Sequence, residues 1–125
     1  MKALLYIFIG GGTGSICRYL LQLLLTQNTH GRFPFGTFLA NLIGCLLIGL
    51  FYALSTHCHL SQETRLTLTV GLCGGFTTFS TFSNENLNLI RQGDYLLADL
   101  YITSSLFLGI IAVGIGYAIG NKLNG

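Results

Sequence analysis

The sequence predicts an all-α membrane protein with four transmembrane helices, and two observations support that fold class. The 125 residues are 51% hydrophobic and only 8% charged, whereas about 25% of the residues in a soluble domain are charged. The chain also has four runs without Lys, Arg, Asp or Glu, at residues 3–17, 33–62, 66–84 and 100–121. Because a transmembrane helix needs about 20 predominantly apolar residues, we expect one transmembrane domain, residues 1–125, in a lipid bilayer.

The four helices are expected at residues 3–25, 35–55, 65–91 and 95–120. The first charge-free run is the shortest, but the apolar pattern continues beyond Arg18 as YLLQLLL, so helix 1 places Arg18 near a membrane face. This segment does not resemble a cleavable signal peptide, because GGGTGSICRY stands where a small-residue cleavage site is expected.

The basic residues give almost no signal for orientation in the membrane. Four crossings put both termini on one side, and the two sides then carry nearly equal numbers of basic residues: Lys2, Arg65 and Lys122 against Arg32, Arg91 and, if it reaches that face, Arg18. Orientation follows the asymmetry of Lys and Arg between the two sides. Two interpretations remain open, a weak bias that still suffices, or insertion both ways with pairing to an inverted copy, and the balance favours the second.

Small residues recur at intervals of four, which is typical of helices that pack closely in lipid. The groups are Gly10/Gly14, Gly36/Ala40/Gly44, Cys45/Gly49 and Ala112/Gly116/Gly120. Four helices can use only part of this small-residue surface, so the pattern predicts an oligomer. The cluster GGGTGS matches neither the phosphate-loop nor the dinucleotide pattern, and we interpret it as a packing surface.

The segment CGGFTTFSTFSNEN (73–86) is rich in hydroxyls and contains adjacent glycines, Gly74 and Gly75. Such glycines weaken a helix, and irregular backbone at membrane depth is tolerated where it is buried in protein or lines a cavity. A broken helix offers carbonyls that bind cations and N-termini that favour anions. Phe79 and Phe82 share a helix face. That spacing alone indicates core packing, but the neighbouring hydroxyls are more numerous than an apolar core needs.

Neutral hydrogen-bond donors also occur on the other predicted helices. They include Asn41 on helix 2, whose buried amide needs partners, and Tyr101 and Ser105, one turn apart on helix 4. No carboxylate inside the charge-free runs accompanies them, although Glu85 falls near the end of helix 3. A path lined by neutral hydrogen-bond donors, without acids, suits a small, strongly hydrated anion, because cation and proton pathways usually carry buried Asp or Glu.

Three motifs resemble those of the small bacterial fluoride channels of the Fluc (CrcB) family. They are GGxxGxxxRY at residues 10–19, GTxxxNxxG at 36–44 and GLCGGFTTFSTFSNE at 71–85. The third motif is highly specific, and the resemblance spans the whole chain.

Members of that family are antiparallel dual-topology homodimers with two pores, each lined by both subunits, through which fluoride moves passively. The resemblance therefore implies a fluoride channel of the bacterial cytoplasmic (inner) membrane that pairs with an inverted copy of itself. It also implies a place near a pore vestibule for Arg18. The pore-lining residues that it implies are Asn41, Phe79, Ser80, Thr81, Phe82, Tyr101 and Ser105.

The resemblance further implies a sodium ion at the centre of the dimer interface, structural and not transported. In the family, backbone carbonyls at the break in helix 3 hold this ion, at positions that correspond to Gly74 and Thr77. Two inverted subunits would supply four oxygens. The sequence departs from the family at Gly109, where some relatives carry a further helix 4 serine.

A small dual-topology proton-coupled drug exporter is the main alternative. Such transporters need a titratable acid in helix 1, and residues 1–25 contain no Asp or Glu. A non-transporting assembly subunit would leave the hydroxyl-rich segment unexplained. We expect neither an enzyme nor a nucleic-acid partner, since no nucleophile–base pairing is visible and His30, His57 and His59 fall in predicted loops.

Overall fold

Helices account for nearly all of the computed structural model, which describes residues 1–28 and 33–124. In chain order they are α1 (Lys2–Asn28), α2 (Phe35–Cys58), α3 (residues 62–76), α4 (Phe79–Arg91) and α5 (Tyr95–Asn124). Three of them, α1, α2 and α5, contain a stretch long and apolar enough to cross a bilayer. The predicted helices 1, 2 and 4 are confirmed, and each observed helix is a few residues longer. The chain is a multi-pass membrane protein.

The third hydrophobic segment is broken, as predicted, but the break does not lie at the glycines. Helix α3 consists of an α-helical turn (Gln62–Leu66), a π-helix (Thr67–Cys73) and a last α-helical turn (Gly74–Phe76). The backbone then becomes extended at Thr77 (φ −88°, ψ 160°) and Thr78 (φ −153°, ψ 118°), before α4 begins. Two threonines therefore interrupt the helix, after the glycine pair.

Local signals set several helix ends. Ser61 caps α3, because its hydroxyl accepts a hydrogen bond from the Thr64 amide at 3.2 Å. Gly93 adopts a positive φ of 83° in the turn between α4 and α5. The prediction that His57 lies in a loop is wrong: α2 extends through Cys58, and the His57 Nε2 lies 2.6 Å from the Asn121 Oδ1 on α5. The predicted loop residues 29–32, with His30 and Arg32, lie outside the described residues.

Glycines set two close helix contacts in which the helices run in the same direction. In the pair α1 and α3, Gly10 faces Gly71, and Gly14 faces Leu72 and Phe76. A Cβ added to Gly14 would overlap the Leu72 carbonyl oxygen, so any larger side chain would push the helices apart.

Helices α2 and α5 form the second pair, in which Gly49 faces Val113 and Tyr117, and Gly120 faces Ala53. Most of the predicted small-residue groups are therefore used inside one chain. The spacing therefore does not by itself indicate an oligomer, and the oligomer stays a prediction.

The broken segment runs antiparallel to α2. Thr37 contacts Glu85, Asn41 contacts Thr78, and Gly44 lies against the Thr77 methyl group. The break is therefore level with the N-terminal half of α2, and it directly follows Phe76, whose amide lies against Gly14 of α1.

Candidate anion path at the broken helix

Asn41 supplies hydrogen bonds that the break removes from the helix. Its Oδ1 accepts from the Thr78 amide at 2.8 Å, and its Nδ2 donates to the Thr78 carbonyl at 3.3 Å. In a continuous helix the Thr78 amide would instead donate to the Gly74 carbonyl. One side chain on α2 thus satisfies both backbone groups of Thr78. The Gly74 carbonyl consequently loses the amide that would donate to it in a continuous helix.

Helix α1 supplies donors to the carbonyl of Gly75. The Arg18 Nε lies 3.3 Å from the Gly75 oxygen, and the Ser15 hydroxyl lies 3.5 Å from the same atom. In a continuous helix this carbonyl would accept from the amide of Phe79, which now begins α4. Arg18 was expected near a vestibule, and the structure places its Nε, half-buried, on the last turn of α3.

The N-terminus of α4 carries the hydroxyls that the sequence singled out. Thr78 is its N-cap, and the Thr78 Oγ1 accepts from the Thr81 amide at 3.2 Å and lies 3.4 Å from the Ser80 hydroxyl. Ser80 is exposed, and Thr81 is half-buried. Because a helix N-terminus carries a partial positive charge and unpaired amides, this end of α4 favours a negative ligand.

Three aromatic rings form a row beside this helix end. The ring centroids of Phe79 and Phe82 are 5.9 Å apart, and those of Phe82 and Tyr101 are 4.8 Å apart with the rings edge to face. Phe79 is 78% exposed, whereas Tyr101 is fully buried. Aromatic edges carry positive quadrupole character, so the exposed ring of Phe79 adds a favourable surface for an anion.

Glu85 ends this row and joins helices α1, α2, α4 and α5. Its two oxygens accept from the Thr37 hydroxyl and from the Tyr101 hydroxyl, each at 2.8 Å. Thr37 in turn accepts from the Gln22 Nε2 at 3.1 Å. The sequence had placed Glu85 only near a helix end. Gln22 was missed, although a lone amide within the apolar run YLLQLLL, one turn after Arg18, was a usable signal.

A cavity of about 320 Å³ opens beside the break. Its lining residues come from α2, α3 and the start of α4: Asn41, Gly44, Cys45, Ile48, Thr69, Cys73, Gly74, Thr77, Thr78 and Phe79. It brings together four of the predicted site residues, Asn41, Gly74, Thr77 and Phe79.

The other predicted site residues do not line this cavity. Phe82 and Tyr101 lie on the Glu85 side of the aromatic row, and Ser105 is half-buried one turn further along α5. Gly109 is buried, and a Cβ added there would lie 3.5 Å from the Cys45 sulfur, so this position faces α2.

The chain is similar to proteins of one known family. A family model described as CrcB-like protein, Camphor Resistance (CrcB), matches residues 5–117. A protein of Phocaeicola vulgatus named fluoride-specific ion channel FluC is 53% identical over 116 residues, which are 93% of this chain and 96% of that protein. Proteins of the same name from Bacteroides fragilis and Flavobacterium psychrophilum are 49% and 46% identical, each match covering 98% of this chain and at least 98% of the relative. The chain belongs to the CrcB family.

Proposed function

We propose that the protein is a fluoride-selective channel through which fluoride leaves the cell passively across the cytoplasmic membrane. The location of the path is inferred from the break at Thr77–Thr78, because the break sets the N-terminus of α4 beside Asn41 and the aromatic row. The identity of the ion rests on the relatives that are named fluoride-specific ion channels. The path takes in the cavity beside the break, the hydroxyls of Ser80 and Thr81, and the Phe82–Tyr101–Ser105 side of α4 and α5.

Fluoride efflux from liposomes that contain the purified protein tests this function. With a potassium ionophore present, we expect fluoride to leave rapidly and chloride to remain, both measured with ion-selective electrodes. Efflux of neither ion, or of both at similar rates, would contradict the proposal. A proton-coupled exporter would instead need a pH gradient and an organic substrate.

Four crossings and an inverted dimer complete the proposed assembly. The parallel contact of α1 with α3, and the antiparallel run of α3 and α4 along α2, support one crossing formed by the two half-helices together. The exposed ring of Phe79 and the open cavity beside it support a second subunit over this face. An inverted copy would cover the cavity while keeping the polar ends of both chains in water.

The balance of basic residues predicts insertion in both orientations. Reporter fusions at the C-terminus should therefore give signal on both sides of the membrane. Lysines added at one membrane face should bias insertion and lower fluoride efflux, and an oppositely biased partner should restore it. Signal confined to one side would contradict dual topology.

We also propose that the carbonyls of Gly74 and Thr77 hold a structural sodium ion between the two subunits. The fit rests on Asn41, which takes the Thr78 amide and so leaves the Gly74 carbonyl without its helical donor. Both residues line the open cavity. Neutral carbonyl oxygens are suitable ligands for a hard cation, and the ion would neutralise the half-helix C-termini at the interface.

Alanine at Gly74 and at Gly75 should have different consequences. At Gly74 an added Cβ lies 3.9 Å from the Thr69 carbonyl, so the single chain accommodates it, whereas at Gly75 it would overlap the Gly11 carbonyl. We expect Gly74→Ala to lower dimer stability and sodium-dependent activity without unfolding the subunit. Gly75→Ala should lower thermal stability of the subunit itself. Size-exclusion chromatography and thermal melts with sodium or N-methylglucamine separate the two, and equal behaviour would contradict the assignment.

A further inference from the structure

We propose that Ser15 and Arg18 are positioning residues that keep the third segment broken, by holding the carbonyl of Gly75 from α1. This inference rests on the proposed channel function. It assigns a hydrogen-bonding role to the Arg18 Nε, in addition to any effect of its charge near a pore entrance, and it gives Ser15 a role in the same contact.

The break leaves the Gly75 carbonyl without its partner in the helix. Breaking the helix at Thr77–Thr78 separates the Gly75 carbonyl from the Phe79 amide. A backbone carbonyl at membrane depth has no water to replace that donor and must find one in the protein. Among the described residues, the Arg18 Nε at 3.3 Å and the Ser15 hydroxyl at 3.5 Å reach it.

The backbones of α1 and α3 are in close contact near Gly75. Gly75 lies against the Gly11 backbone, and Gly14 lies against the Leu72 carbonyl and the Phe76 amide. Ser15 and Arg18 are three residues apart and share one face of α1. The glycine contacts therefore place both side chains level with the last turn of α3, which contains Gly75.

Different helices supply the hydrogen bonds on the two sides of the break. Asn41 on α2 satisfies both backbone groups of Thr78, on the α4 side. Ser15 and Arg18 on α1 satisfy Gly75, on the α3 side. The guanidinium also stands at the C-terminus of α3, where a cation is favoured. Without these donors, the alternative for the Gly75 carbonyl is to recover the Phe79 amide by closing the break.

Three substitutions at Arg18 separate the hydrogen bond from the charge. In Arg18→Gln the Nε2 occupies the chain position of the arginine Nε, so the donor is kept and the charge is lost. Arg18→Met has a similar length but neither donor nor charge, and Arg18→Lys keeps the charge with a nitrogen one atom further out. Ser15→Ala removes the second donor, and Arg91→Met, on the exposed end of α4, is the control for loss of a positive charge.

Fluoride and chloride efflux from liposomes would be measured for the parent and for each purified, assembled variant. Fluoride efflux by the parent tests the proposed function itself, and the variants are compared with the parent. We expect Arg18→Gln and Arg91→Met to stay within about threefold of the parent, and Arg18→Met to lose about tenfold or more, as for loss of a buried hydrogen bond. Ser15→Ala should lose less than Arg18→Met, and Ser15→Ala with Arg18→Gln should lose more than either alone.

Two outcomes would overturn the proposal while leaving the channel function intact. The first is that Gln and Met at position 18 lose efflux equally and only Lys restores it, because charge alone would then be the requirement. The second is parental efflux in Arg18→Met and in Ser15→Ala. Arg18→Met could fail to assemble, which size-exclusion chromatography would show. In that case, parental efflux in both Ser15→Ala and the Ser15→Ala, Arg18→Gln double variant is enough to overturn the proposal.

Discussion

Asn41→Asp should nearly abolish fluoride efflux while the protein still assembles. The carboxylate keeps an acceptor for the Thr78 amide, but its second oxygen faces the Thr78 carbonyl, where the Asn41 Nδ2 now donates at 3.3 Å. The substitution therefore replaces a hydrogen bond by a repulsive contact, and it adds a negative charge to the proposed anion path. We expect a loss of about a hundredfold, which corresponds to about 3 kcal/mol in the barrier.

The matched control is Asn88→Asp, the same substitution on the exposed face of α4, which should leave efflux close to that of the parent. Thermal melts at pH 5 and pH 8 would show whether the new carboxylate destabilises the break itself. Parental efflux in Asn41→Asp would remove Asn41 from the path and would leave its pairing with Thr78 as its sole role.

Phe79→Ile and Phe82→Ile should each lower fluoride efflux strongly, because isoleucine keeps an apolar side chain but removes the aromatic edge. The two variants differ in their effect on the subunit. Phe79 is 78% exposed, so its replacement should leave the stability of a single chain almost unchanged. Phe82 packs edge to face on Tyr101, so Phe82→Ile should also cost about 1 kcal/mol of stability.

Phe8→Ile is the control for both variants, because Phe8 on α1 is also 78% exposed but lies away from the break. It should conduct like the parent. Efflux would be measured on protein that elutes as the assembled species. If Phe79→Ile and Phe82→Ile also conduct like the parent, the aromatic row does not line the path and the site assignment fails.

The positions of the long helices were predictable from the sequence. Apolar runs of about 20 residues form helices in lipid because the backbone must satisfy its own hydrogen bonds there, and α1, α2 and α5 follow those runs closely. The small-residue spacing likewise predicted close helix contacts. It could not tell whether the partner helix lies in the same chain, since spacing carries no information about the facing surface.

The sequence also indicated that the third segment is interrupted, and it named residues near the interruption. It placed the weak point at Gly74 and Gly75, by local backbone propensity. The tertiary structure puts the extended residues at Thr77 and Thr78, because Asn41 on α2 captures both backbone groups of Thr78.

The hydrogen bonds of Ser15, Arg18 and Gln22 likewise depend on the tertiary structure. Arg18 and Gly75 are 57 positions apart, and the reach of one to the other depends on the glycine contact between α1 and α3. Residue types and local spacing determine which segments enter the membrane and where a helix is weak. Which donor replaces each broken hydrogen bond depends on side chains that only packing brings within hydrogen-bonding distance.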